Sequence, residues 1–553
     1  MKKASPSKSK SLLARRRSLS PRTAIPFVLL SVFAMQSLWF IQTQSLTYDE
    51  PAHIIAGIDA WRHGRFEHWN DHPPLGRLWL TLPLARADSQ FAWQQLPTGY
   101  RVMAMQPGPE EIALRTRPMN LLLGIALAMA LWFATRRLFS EGAANVALAL
   151  FVFTPSLIAH FSVATTDGIG TLFIFLTAFQ LVRWRHRPNW INSLLIGLVL
   201  GGLLLAKFYA PPLVVLALGL MLVLKPEAVT WRPSQWNWKP MLAALVLALV
   251  TLWAVYFFHV SHLKIGDGKV VASFPNRGDK TWATKASAHV NTYVPAGEFL
   301  EGLREVAMSN KHGRPAWFMG KVYPTGGIKA YYPAAIVLKW PTVLLVLVLA
   351  SLLMGVRKTC RNPADLLAMC AFGLVFLFFA IQSKYDIGER HILPLYPFAL
   401  LIAGAIWEHL KARRAAMIVL LVLLGLNAAD ALRCAPDYLT YFNILVRPAN
   451  SWHYLTDSNL DWGQGLIALR EYEQKHPNEN LRLAYFGSVN PPLYGVRAVP
   501  LAREERVEGT VVAGASVLSG QVLADPNSYR WLLQYPPQEM IDRSMFVYDT
   551  QTK

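Results

Sequence analysis

The residues best suited to chemistry fall in a few short stretches. The densest is Tyr48-Asp49-Glu50-Pro51-Ala52-His53, followed by Trp61-Arg62-His63-Gly64 and Asn70-Asp71-His72-Pro73-Pro74-Leu75. Asp49 and Glu50 stand together where a long apolar run ends. If Asp49 starts a short helix, Pro51 falls in its first turn and His53 shares the Asp49 face at i+4. The same pattern suits a plain cap, with Asp49 accepting a backbone N–H and Glu50 favoured by the helix dipole. His53, His63, His68 and His72, with Asp49, Glu50 and Asp71, could in principle hold a divalent metal. Their spacing matches no tight ligand motif and suits solvated loop histidines better, so no cofactor is assigned and a divalent metal stays open.

Three further places carry isolated polar groups. Asp167, in Ala164-Thr165-Thr166-Asp167-Gly168, sits at a turn between apolar runs and reads either as a second acid or as a helix cap. Lys207, between Ala206 and Phe208, is a lone cation at another turn; its plain reading is snorkelling to lipid headgroups. Ser383-Lys384-Tyr385-Asp386-Ile387-Gly388-Glu389-Arg390-His391 enters Leu393-Pro394-Leu395-Tyr396-Pro397, which puts Arg390 and His391 at the edge of an apolar run, where they could face a phosphate. One reaction uses all of these parts: a sugar on a membrane-dissolved polyprenyl phosphate, attacked by an acceptor hydroxyl. Its leaving group is already an anion, so the site needs cations and one base and no general acid. Asp49 would be the base, Lys207 and Arg390 would clamp phosphate, and single displacement would invert the anomeric centre.

The elements that must position these groups are membrane helices. The chain has 553 residues, 53% hydrophobic and 16% charged, with mean hydropathy +0.27 and net charge +20. That excludes a disordered chain and argues against an ordinary soluble enzyme, for which about 25% charged residues is usual. Apolar runs of about the 17 to 25 residues a bilayer requires predict eleven helices. They lie near 24–45, 119–135, 142–163, 168–182, 190–206, 208–224, 241–260, 335–355, 366–382, 392–408 and 415–433. Cys360, Cys370 and Cys434 are too few and scattered for a disulfide framework. The tail before the first run holds Lys2, Lys3, Lys8, Lys10, Arg15, Arg16, Arg17 and Arg22 and no acid, which places the N-terminus in the cytoplasm. No small-residue cleavage site precedes Tyr48, so the first run reads as an anchor rather than a signal peptide.

Alternating sides from there, the inner segments hold 22 Lys and Arg against four acids, and the rest of the chain is nearly neutral. The excess base therefore anchors topology and does not imply nucleic acid. The expected architecture is mainly α: a basic cytoplasmic tail (1–23), a polytopic body (24–433) with outer loops 46–118 and 261–334, and a small α/β domain (434–553) outside an inner, plasma membrane. That last piece shows a helical stretch at 463–474, strands at 482–488, 510–517 and 545–548, and a helix near 529–533. Ionisable residues are nearly absent from mid-span, which weighs against the competing class, a transporter or flippase of a lipid-linked substrate. A membrane scaffold with a partner-binding domain is a third reading.

At these residues the chain resembles the GT-C-type phospholipid carrier-dependent glycosyltransferases, relatives of the protein O-mannosyltransferases and the lipid A aminoarabinose transferases. The resemblance rests on Tyr48–His53 with His72-Pro73-Pro74-Leu75, Thr165-Thr166-Asp167, Leu205-Ala206-Lys207-Phe208, Tyr331-Tyr332-Pro333 and Arg390–Pro397. It implies an integral transferase that uses dolichyl- or undecaprenyl-type phosphate sugars, with a lipid, glycan or protein acceptor at the cell envelope. Asp49 would be the base, Asp167 the second outer acid, and Lys207 and Arg390 the phosphate contacts; the usual Arg-Tyr is Arg390-His391 here. Asp457-Ser458-Asn459-Leu460-Asp461-Trp462-Gly463-Gln464-Gly465 resembles a stretch found after the last span in one bacterial subset. By itself it reads as a helix start capped by Asp461, with acceptor binding left open. Asn490-Pro491-Pro492-Leu493-Tyr494 adds aromatic surface nearby.

Overall fold

The computed structural model describes residues 21–66, 70–95, 101–223, 239–266, 269–273 and 290–551. His68, most of the basic tail and most of the inner segment 225–239 lie outside these residues. Helices form the body, and each of the eleven apolar runs is helical within it. Their lengths differ. Ala24–Thr43, Pro109–Leu138, Pro363–Gln382, Glu389–Leu410 and Arg414–Arg433 are long and apolar enough to cross a bilayer. Glu141–Val152, Trp190–Ala206, Pro211–Val223 and Lys239–Val255 are apolar but shorter.

Prolines explain where the runs break. The run expected over 335–355 is two helices, Tyr331–Lys339 and Thr342–Leu353, bent by 108°. Pro341 at the corner lacks the N–H that a continuous helix needs and disfavours helical backbone in the residue before it. The run over 142–163 divides at Pro155 into Glu141–Val152 and Pro155–His160, and that over 392–408 opens as the 3-10 turn Glu389–Leu395, which contains Pro394. The helix Asp167–His186 packs between Pro109–Leu138 and Trp190–Ala206, and Leu127, Ile174, Phe175 and Leu203 are buried there. Ile418, Val419, Leu421 and Val422 on the last long helix are exposed, as a lipid-facing stripe must be.

Between and after these helices lie small sheets. The hairpin Gln90–Gln95 with Arg101–Gln106 belongs to the first loop. Val260–Gly266 pairs antiparallel with Lys269–Ser273 and with Val290–Pro295 in the second. The C-terminal sheet has five strands in the order Pro537–Ile541, Met545–Asp549, Thr510–Gly514, Arg482–Ala484, Val499–Pro500. Arg482–Ala484 runs parallel to both its neighbours and the other pairs are antiparallel. Three expected elements are trimmed: the strand at 510 stops at Gly514 and turns into the helix Ala515–Ser519, the strand at 482 stops at Ala484, and the helix near 529 is the 3-10 turn Arg530–Gln534. The C-terminal piece is docked on the first loop by backbone bonds, from Met103 N–H to the Ser488 carbonyl (2.8 Å) and from Ser45 N–H to the Gln464 carbonyl (2.8 Å).

Candidate active site

Asp49 occupies the cap position of the helix Glu50–His63, yet its side chain makes no cap bond. Its Oδ2 instead accepts from Arg390 Nη1 at 2.6 Å, across 341 positions of sequence. The plain cap reading therefore fails for Asp49. The Asp49 side chain keeps 28% of its surface exposed, so part of it stays accessible.

Glu50 points the other way and is fully buried. Oε1 accepts from Arg117 Nε (2.9 Å) and Ala164 N–H (2.6 Å), while Oε2 accepts from Arg117 Nη2 (2.8 Å) and Thr47 N–H (2.6 Å). With four donors held, Glu50 has no lone pair to lend as a base. Its work is to join three elements: the turn before Asp49, the helix Pro109–Leu138 and the turn that leads to Asp167. Arg117 completes the joint by donating to the carbonyls of Gln44 (2.6 Å) and Ser45 (2.7 Å). A charged pair this deep is tolerable only because every polar atom in it is matched.

Asp167 opens the helix Asp167–His186, and Lys207 ends Trp190–Ala206 in extended backbone. Lys207 stands at the expected turn between two helices, but its Nζ donates to Asp167 Oδ1 at 2.8 Å, so the snorkelling reading does not describe it: it is buried and paired. Arg390 Nη1 lies 3.7 Å from Asp167 Oδ2. Asp49, Arg390, Asp167 and Lys207 thus form one chain of alternating charge, drawn from four distant parts of the sequence. Arg390 Nε and Asp167 Oδ2 are buried without a hydrogen-bond partner.

His53 and His72 face each other beside this chain, with ring centroids 5.0 Å apart. Arg77 Nε donates to His53 Nδ1 at 3.3 Å, and Arg77 Nη2 pairs with Asp71 at 2.8 Å. Burial pushes both histidines well below the usual imidazole range, and the cations Arg77 and Lys207 add to it, so both rings are neutral at pH 7. His391 is half-buried beside Arg390 and its Nε2 has no partner. His63 belongs elsewhere, paired with Asp59 at 2.8 Å. Among the described residues no three His, Cys, Asp or Glu side chains converge on a metal-sized site. Glu50 spends its oxygens on Arg117 and backbone, and His53 spends Nδ1 on Arg77, so this set does not fit the divalent metal left open by the sequence.

Several residues here carry little sequence signal. Arg117, Arg77 and Asn120 are buried polar groups whose partners lie far away in sequence, so no local pattern marks them. Asn120 Nδ2 donates to the carbonyls of Val163 (2.6 Å) and Thr165 (3.3 Å), shaping the turn before Asp167. The segment 457–465 was legible as a motif, but its role differs from the helix cap expected of Asp461. Gly465 holds the cap position of Leu466–Lys475, while Asp461 accepts from the N–H groups of Ser516 (2.9 Å) and Gly463 (3.4 Å). Asp457 lies close enough for its charge to act on Arg390 and Asp49; burial pushes its carboxyl up to about 7, with Arg390 opposing. It holds φ at +57°, a conformation that non-glycine residues keep only under tertiary constraint. Tyr494, expected to add aromatic surface, is buried and its hydroxyl accepts from Leu46 N–H at 2.7 Å.

The arrangement presents a partly exposed carboxylate, a buried ammonium, and a guanidinium that has a donor to spare. Such a set can bind an oxyanion and accept a proton within one small volume.

Comparison with known proteins agrees in part. Residues 112–256 match the family model for dolichyl-phosphate-mannose-protein mannosyltransferase. That segment contains Asp167 and Lys207 and bears out the resemblance to GT-C-type glycosyltransferases. No curated protein matches the sequence. Among solved structures, ArnT from Cupriavidus metallidurans bound to undecaprenyl phosphate is 10% identical, covering 94% of this chain and 97% of that one at TM-score 0.48. The Saccharomyces cerevisiae protein O-mannosyltransferase Pmt1-Pmt2 complex bound to its sugar donor is 9% identical over 74% of this chain and 90% of that one, at TM-score 0.47. The Archaeoglobus fulgidus oligosaccharyltransferase AglB, in complex with an inhibitory peptide and a dolichol-phosphate, is 11% identical over 96% and 75%, at TM-score 0.42.

Proposed function

We propose that this multi-pass membrane protein transfers a sugar from a polyprenyl-phosphate donor to an acceptor hydroxyl at the outer face of the plasma membrane. The observation that carries the reading is Arg390: its Nη1 holds Asp49 while its Nε is buried and unmatched. Unmatched buried donors are costly, by about 1–3 kcal/mol each, and an anion is the ligand that relieves them.

In the reaction the acceptor oxygen forms a bond to the anomeric carbon as the bond from that carbon to the phosphate oxygen breaks. The electron pair leaves on the phosphate, where Arg390 and Lys207 stabilise the added charge. The acceptor proton passes to Asp49. Phosphate bound at Arg390 Nε shares the guanidinium charge with Asp49 and so leaves that carboxylate a better proton acceptor. A single displacement inverts the anomeric centre. Asp167 holds Lys207 in place, and neutral His53 and His72 suit hydroxyl groups of the sugar. Residues 434–553 form the extracytoplasmic domain in this reading, and the acceptor is a lipid, glycan or protein of the envelope.

The test is turnover in detergent, where no second compartment exists. Purified protein given a radiolabelled polyprenyl-phosphate sugar should release or transfer the sugar, and the Asp49→Asn variant should lose about 100-fold or more while still binding polyprenyl phosphate. A full-length protein that folds, yet neither binds lipid phosphate nor turns it over, would overturn the reading.

A further inference from the structure

The Arg390 guanidinium carbon lies over the Trp462 ring, 4.2 Å from its centroid. Trp462 is 1% exposed, and His160 meets its ring edge-on at a centroid distance of 6.4 Å. The backbone of Trp462 is tied on both sides: its N–H donates to Gln464 Oε1 (2.8 Å), and its carbonyl accepts from Tyr48 N–H (2.8 Å), the residue before Asp49. The next residue, Gly463, has φ +89°, and a Cβ there would lie 2.7 Å from the Phe486 carbonyl oxygen. Upstream, Ser458 Oγ donates to the Ile387 carbonyl (2.7 Å) and Asn459 Oδ1 accepts from Glu389 N–H (2.9 Å). Gly388 lies so close to Ser458 that a Cβ would fall 1.9 Å from its Oγ. One short segment after the last long helix therefore grips the loop carrying Arg390 and the turn carrying Asp49.

We propose that Trp462 is a positioning residue for lipid-phosphate binding: its indole face holds the Arg390 guanidinium where Nη1 meets Asp49 and Nε stays open to a phosphate oxygen. The physical reason lies in what an aromatic face takes from a cation. It attracts the charge through its quadrupole without occupying any N–H. A third carboxylate in its place would hold Arg390 equally well but would consume the donors that the phosphate needs. Without the indole, the flexible arginine stem is free to pair more fully with Asp49 and Asp167 together, and the site closes on itself. This role rests on the phosphate reading above.

The experiment measures the affinity of the purified full chain for undecaprenyl phosphate, with thermal unfolding followed in parallel. Tryptophan carrying one, two or four ring fluorines is placed at 462, which weakens the quadrupole at nearly constant shape. A graded loss reaching about tenfold, with unfolding unchanged, is the expected result. Trp462→Phe should bind with intermediate affinity and Trp462→Leu weakest, with Kd and KM moving more than kcat. Fluorination that leaves Kd unchanged overturns the proposal, even if Trp462→Leu binds poorly, because the ring would then serve only as filling. A wild-type protein that does not bind the lipid phosphate overturns the phosphate reading itself, and this one with it. A wild-type protein that binds, with a flat fluorine series, removes only the role of Trp462.

Discussion

Asp49 and Glu50 are neighbours in sequence and opposites in environment. A half-exposed carboxylate that holds one cation can exchange it for a proton, whereas a buried one with four matched donors cannot. Substitution of Asp49 should therefore cost turnover rather than folding, unlike substitution of a fully buried member of the charge chain. Asp49→Asn should leave thermal unfolding within about 0.5 kcal/mol of wild type and reduce turnover about 100-fold or more. Lys207→Met should raise Kd for polyprenyl phosphate and also lower stability, because Asp167 would be left buried with only Arg390 at 3.7 Å. Isothermal binding together with unfolding would separate the two effects; unchanged affinity in Lys207→Met would remove this lysine from the phosphate site. The pairing of Lys207 with Asp167 had no local signal, because it joins residues 40 positions apart across two helix ends.

At the scale of elements, the joint made by Glu50 and Arg117 aligns the turn before Asp49 with the turn before Asp167. Arg117→Met should destabilise the protein by about 3–5 kcal/mol by leaving a buried carboxylate unmatched, whereas the double variant Glu50→Leu, Arg117→Met should recover part of that loss. Thermal unfolding of wild type and these two variants checks this, and a double variant no more stable than Arg117→Met would contradict it. The segment 457–465 carries a second element-scale prediction. The Asp457 carboxyl is raised from 3.8 to about 7, so the folded state binds a proton that the unfolded chain has lost over that window. Its contribution to stability is fully present below about pH 4 and disappears as pH rises through 7. Asp457→Asn should accordingly lose less stability than wild type between pH 5 and pH 8, read from unfolding midpoints across that range. An identical pH slope in both proteins would show that this carboxyl titrates normally.

For the whole molecule, the chain of acids and cations lies at helix ends, where the segment 457–465 packs against the Arg390 loop. If those ends are extracytoplasmic, as the positive-inside rule predicts, an alkaline phosphatase fused after Lys553 should be active and one fused after Arg413 inactive. The reverse pattern would invert the topology. Composition and run length alone determined that the chain is a helical membrane protein, because a bilayer imposes both the length and the apolarity of what crosses it. The short motifs around Asp49, Asp167, Lys207 and Arg390 also marked the candidate residues, since charge at the end of an apolar run is conspicuous in one dimension. Only the tertiary structure decided what each one does. It separated Asp49 from Glu50, paired Lys207 with Asp167, and set Trp462 on Arg390. Those relations depend on contacts between residues up to hundreds of positions apart, and no local pattern of residue types encodes which distant partner fills a given lone pair or ring face.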